Sequence, residues 1–151
     1  MIKEEVYLIN CDTSPFCPRG WEVLEHKKGG LLTWDPDEIR LYAPKRLLWV
    51  HKKKRIWGDI SGYMVKKRIG NKFALNANIL DYLLRYPKLI PEKWKNVSVY
   101  FFGTIYHCGY DEAVRCLVWD SSKWRSGYMP LNEDGSFWGD DNPIALLNCQ
   151  K

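Results

Sequence analysis

The sequence predicts an α+β domain, a mainly antiparallel sheet carrying one or two packed helices. Three observations carry that reading. The stretch from Leu75 to Trp124 holds a capped helix with one apolar face, followed by two strongly apolar β-type runs. Shorter runs upstream and downstream are separated by Gly, Pro, Asn and Asp clusters, the usual punctuation of turns. No catalytic or ligand-binding signature interrupts the pattern.

The helix is predicted from Asn76 to Tyr86. Asn76 can accept from the free N–H groups of the first turn, and Leu75 with Leu80 occupies the positions of a hydrophobic staple. Ile79, Leu80, Leu83 and Leu84 recur at three- and four-residue spacing and form one apolar face. Pro87 ends the helix, because proline disfavours helical geometry in its predecessor. Pro91 suits the first position of a short turn to Trp94. From Val97 to Tyr106 the chain is β-branched and aromatic, as strands are. Both of its faces are apolar, which predicts a central strand covered on both sides. Gly103 breaks it and predicts a bulge or a close approach by another backbone. Val114 to Trp119 and Trp124 to Met129 then complete a meander over Val97–Met129.

Upstream, Glu5 to Cys11 is a candidate first strand and Asp12 to Gly20 a loop. Trp21 to Glu25 and Leu31 to Trp34 flank Lys27-Lys28-Gly29-Gly30 and predict an N-terminal hairpin with glycines at its turn. Ile39 to Tyr42 is a further short strand. In the tail, Pro143 to Leu147 is expected to close as a last helical turn.

The segment 45–72 differs in kind. It holds ten Lys or Arg and one acid, Asp59, and so carries +9; the remainder, with 13 basic and 17 acidic residues, carries −4. The formal net charge of +5 therefore hides a polarised molecule, and such asymmetry is a statement about partners. Leu47 to Val50 and Ile56-Trp57 read as strand ends around a basic turn. Ser61 is positioned to cap a helix holding Tyr63, Met64, Val65 and Ile69 beneath Lys66, Lys67 and Arg68.

The 151 residues fit one domain, 1–151, by the usual prior of roughly 100–200 residues each. No apolar run approaches the roughly 20 residues that cross a bilayer, and the charged start, Met1 to Glu5, is not followed by an apolar signal region. Five cysteines cannot all pair. Reduced thiols, a cytoplasmic location and no structural disulfide are the simplest expectation. Cys11 and Cys17 lie six apart and Cys108 and Cys116 eight apart, wider than usual for paired zinc ligands, so no metal or cofactor is expected.

Several strings taken together resemble a known pattern: Leu75-Asn76-Ala77-Asn78 with Leu80-Asp81-Tyr82-Leu83-Leu84, and Ile90-Pro91-Glu92 with Trp94-Lys95. Phe101-Phe102-Gly103-Thr104-Ile105-Tyr106 and Val114-Arg115 with Trp119-Asp120 complete it. They resemble a family of short, uncharacterised bacterial proteins with no assigned activity. The likeness reaches back to Gly29-Gly30 and Trp34-Asp35-Pro36 and forward to Asp141-Asn142-Pro143. It implies a bacterial, free-standing single-domain protein and transfers no site residue. This chain is longer and more basic than the pattern around Leu47 to Arg55.

Single residues offer little chemistry. His26, His51 and His107 are not at ligand spacing from one another. His107 and Cys108 are adjacent, and neighbours in a strand point to opposite faces. The acidic groups at Asp35, Asp37, Glu38 and at Asp140, Asp141 lack EF-hand spacing and fit Asx turns. Two functions are therefore expected. The first is a non-enzymatic binding module using Lys52, Lys53, Lys54, Arg55, Trp57, Lys66, Lys67 and Arg68 against nucleic acid or an acidic protein surface, since Lys and Arg neutralise phosphates and aromatics stack on bases. The second is a small enzyme with a cleft on the aromatic sheet, using His26, Asp81, Tyr106, Arg115 and Asp120.

Overall fold

The computed structural model describes residues 5–44, 47–51, 54–58, 61–109, 111–132, 138 and 141–148, with only the backbone of 47–51 and 54–58. In chain order its N-terminal strands are Leu8–Asn10 (β1), Trp21–His26 (β2), Leu31–Thr33 (β3) and Ile39–Tyr42 (β4). Leu47–His51 (β5) and Lys54–Gly58 (β6) form a separate hairpin, as the basic segment predicts. Two helices follow, Gly62–Ile69 (α1) and Ala77–Arg85 (α2). The remaining strands are Val99–Tyr100 (β7), Thr104–Cys108 (β8), Asp111–Trp119 (β9), Trp124–Pro130 (β10) and Ile144–Leu147 (β11).

The large sheet is organised on β9. One edge of β9 pairs with the whole of β10, from Trp119↔Trp124 to Ala113↔Pro130. The other edge is shared by β8, at Ala113↔Tyr106, and by β7, at Leu117↔Val99. Past this shared edge the sheet forks. β2 pairs with β8, whereas β11 pairs with β7 and β4 with the far edge of β11. The β11–β7 pairing, Ile144↔Tyr100, is parallel, so the expected mainly antiparallel sheet is corrected to a mixed one.

Gly103 lies in the gap between β7 and β8, and a close backbone approach is indeed the cause of the break. A Cβ there would stand 2.5 Å from the carbonyl oxygen of Ala74, 2.7 Å from the carbonyl carbon of Leu75 and 2.8 Å from the Cα of Asn76. The predicted strand Val97 to Tyr106 is thus two strands on one edge of β9.

Residues facing each other across paired strands share a face, and both faces are covered. On one, Val99, Phe101 and Leu117 pack under Ile79, Leu80 and Leu83 of α2, with Trp34 and Trp94 beyond. On the other, Tyr100, Ile105, Val114 and Cys116 pack under Val65 and Ile69 of α1, with Trp138 and Leu131. Ile79, Leu80 and Leu83 are each 0% exposed, a gross burial of about 1.5–3 kcal/mol per side chain. Asn76 caps α2 as expected, its Oδ1 accepting from the N–H groups of Asn78 and Ile79. Ser61 caps α1 through the N–H of Met64.

Two further expectations fail. β2 and β3 do not form the N-terminal hairpin: β2 pairs with β8 and β3 with β1. Their connector is pulled apart at its ends, since the N–H of Lys27 donates to Gly103 while the carbonyl of Gly30 accepts from Cys11. The Phe73 ring fills the space a side chain on Gly29 would need. The C-terminal helical turn is instead strand β11, because Ile144 to Leu147 meets open edges on both β4 and β7. Four apolar residues carry no period that separates helix from strand.

Candidate functional site

The fork is held open by the run Phe73 to Asn76. The N–H of Leu75 donates to Ala145, that of Leu147 to Phe73 and that of Gly103 to Leu75, at 3.1, 2.8 and 2.9 Å. The Asn76 side chain then ties three segments together: besides capping α2, its Nδ2 donates to the carbonyls of Cys11 (3.0 Å) and Lys27 (2.9 Å). No side-chain polar atom of this buried residue is wasted, as a buried amide requires.

Against the fork lies the last turn of α1. Val65 and Ile69 turn inward, and Lys66, Lys67 and Arg68 follow on the remaining sides of that turn, where cations complement the helix dipole. Gly70, at φ +56°, ends the helix with its N–H on the Lys66 carbonyl. Between this turn, the end of β2 and the fork is a cleft of about 530 Å³. Ile69, Ala74 and Phe102 give it an apolar floor, and Glu25, Lys27, Lys66 and Asn71 line it as polar groups. Lys66 is ion-paired with Glu25, both side chains well exposed. Lys27 Nζ donates to the Lys72 carbonyl at 3.0 Å and lies 5.9 Å from the Phe73 ring centre. Lys72 in turn lies 5.5 Å from the Tyr42 ring centre.

Of the residues expected to bind, Lys52 and Lys53 lie outside the described residues. Lys54, Arg55 and Trp57 are placed on β6 as backbone, with their side chains outside the described set. Lys66 lines the cleft, Lys67 is exposed and Arg68 is half-buried on the same turn. Lys27 and Glu25 were not legible as site residues. They lie some forty residues from α1 in the chain, and only the β2–β8 pairing carries them there.

The expected enzyme residues divide differently. Arg115 and Asp81 form a two-pronged ion pair, 2.9 Å on each prong, beneath α2. Burial works against the Arg115 charge, but the Asp81 carboxylate outweighs it and Tyr106 adds, so the guanidinium is held above its ordinary pKa. Burial raises the Tyr106 phenol, with Arg115 opposing. The Tyr106 hydroxyl donates to the Phe16 carbonyl at 2.8 Å, and the Phe16 ring sits 5.3 Å from the Arg115 guanidinium. The loop Asp12 to Gly20 thus covers this trio.

His26 shares that face. One of its ring nitrogens, Nε2, meets the Cys11 carbonyl at 3.0 Å, so this nitrogen carries the hydrogen. Nδ1 lies 2.9 Å from the Thr104 hydroxyl, whose oxygen also accepts from the N–H of Ala77. Asp120 is elsewhere, at the β9–β10 turn. The N–H groups of Lys123 and Ser122 donate to its carboxylate, the Lys123 bond chief among the causes that pull its pKa down to about 2. His26 alone of the five lines the cleft.

Burial pushes Cys11 and Cys116 up to about 11, and burial followed by Asp111 raises Cys108. His107 and Cys108 pair with Glu112 and Asp111, placing them on opposite faces of β8. Among the described residues, no three His, Cys, Asp or Glu side chains converge to hold a metal ion. Likewise among them, no helix is long and apolar enough to cross a membrane.

Fold and site together define an α+β protein with a forked mixed sheet, a helix on each face and a cation-lined cleft at the fork. Comparison with protein families, curated proteins and solved structures finds no match for the chain.

Proposed function

We propose that the protein is a small, non-enzymatic cytoplasmic binding module. Its basic segment docks on a polyanion, nucleic acid in the first instance. The supporting observation is the last turn of α1, whose apolar residues are committed to the core while Lys66, Lys67 and Arg68 occupy its other sides near Lys27 and Lys72. The +9 charge of segment 45–72 supplies the field that would steer such a partner. In the sequence of the same segment, Lys52, Lys53, Lys54 and Arg55 add four cations and Trp57 an aromatic of the kind that stacks on bases. The resemblance to short bacterial proteins brings no activity and leaves this reading to the surface chemistry.

The test is a salt titration of a labelled oligonucleotide. Each neutralised phosphate contributes about −0.7 to −0.9 to the log–log slope. Replacing Lys52, Lys53, Lys54 and Arg55 by Ser should flatten the slope by about three units. Equal slopes, or no binding by the parent at about 50 mM salt, would refute the reading. Binding to polyglutamate with no binding to the oligonucleotide would assign the surface to an acidic protein instead.

The second reading, an enzyme working from the sheet, is favoured by the convergence of Asp81, Tyr106 and Arg115 on one face. It requires the Phe16 loop to leave that face, so Phe16→Ala should expose Tyr106 to iodination. A Tyr106 that stays protected removes this reading.

A further inference from the structure

We propose that the cleft at the fork binds a small amphipathic organic anion, with its charged head at the lysine rim and its apolar body on the floor. Its volume, about 530 Å³, falls within the roughly 300–1,000 Å³ of small-molecule sites. Such sites combine an apolar lining with a few polar groups that fix orientation. Here Ile69, Ala74 and Phe102 are the lining, and Lys27 and Lys66 are the ammonium groups beside it.

The two lysines are prepared differently. Lys27 is fixed, its ammonium held by the Lys72 carbonyl. Lys66 is engaged by Glu25, in a pair whose side chains are 38% and 53% exposed. Exposed pairs are worth little and are readily exchanged. An incoming carboxylate or sulfonate can therefore take the place of Glu25 on Lys66 while Lys27 stays put. The floor then selects for the body: an inorganic anion gains nothing from it, and a neutral apolar molecule gains nothing from the ammonium groups.

This inference rests on the cleft rather than on the charge of segment 45–72. It shares Lys66 with the polyanion reading and does not use Lys67.

The probe is anilinonaphthalene sulfonate, followed by its fluorescence on the intact protein, with octanoate and sulfate as competitors. Saturable binding at one site is expected, displaced by octanoate and not by sulfate at matched ionic strength. Lys66→Gln should weaken the probe roughly three- to tenfold, the loss of one charge-assisted contact. Glu25→Gln should tighten it, because Lys66 is then released. Methyl NMR with octanoate should shift Ile69 and Ala74 and spare Leu8 and Leu31, which are exposed apolar residues of β1 and β3. Shifts at Leu8 and Leu31, displacement by sulfate, or an unchanged affinity in Glu25→Gln would overturn the proposal. Lys67→Gln separates the two readings: it should weaken the oligonucleotide and leave the probe untouched. A probe site that holds while the oligonucleotide fails to bind would sink the polyanion reading alone.

Discussion

Gly103→Ala is the sharpest probe of the fork. The substituted methyl has no room: its three nearest atoms, at 2.5, 2.7 and 2.8 Å, are backbone of Ala74, Leu75 and Asn76. Backbone cannot rotate aside as a side-chain tip can, so the run Phe73 to Asn76 must move. Overpacking of this kind costs about 1–3 kcal/mol. The same shift strains the bonds from Gly103 N–H to Leu75 and from Leu75 N–H to Ala145, each worth about 1 kcal/mol net. The expected loss is about 3–5 kcal/mol, a large fraction of the roughly 5–15 kcal/mol that holds a domain together. Urea denaturation measures it, and the melting temperature should fall by about 10 °C at roughly 2–4 °C per kcal/mol for this size. Gly109→Ala is the control. Gly109 sits at φ +63° with nothing within 4 Å of a Cβ, so only conformational strain of about 1–2 kcal/mol is at stake. If Gly103→Ala costs no more than Gly109→Ala, the close approach is not what breaks the strand.

Two further outcomes follow from buried groups. Asp81→Asn leaves the Arg115 charge, 5% exposed, without its carboxylate. Removing one partner of a buried pair costs about 3–5 kcal/mol, and because a third of Asp81 is exposed the low end is expected. Adding Arg115→Met should recover part of the loss; a double variant as unstable as the sum of two singles would refute the pairing. Burial lifts Cys11 and Cys116 from 9.0 to about 11. The unfolded thiols ionise first, so their contribution is complete below about pH 9 and is lost as pH rises toward 11, at up to about 1.4 kcal/mol per unit for each group. Urea midpoints across that window should decline, and Cys116→Ala should decline less steeply; parallel declines would contradict the burial argument.

What sequence alone determined here is what local chemistry fixes. α2 was legible because its cap, staple, apolar face and terminating proline all lie within a dozen residues. α1 was legible for the same reason, through Ser61 and the inward Val65 and Ile69. Gly103 announced an interruption, since a glycine in an apolar strand needs a reason, yet nothing near it named Ala74 to Asn76 as the backbone that fills the gap. The basic turn of α1 could be read from composition, but Glu25 and Lys27 reach it only through the pairing of β2 with β8. The missing hairpin and the strand at Ile144 to Leu147 have the same origin. A short β run has no preferred neighbour of its own, and its partner is whichever edge the rest of the sheet leaves open. That choice belongs to long-range backbone pairing, so the mixed sheet, the fork and the cleft within it were settled only by the tertiary structure.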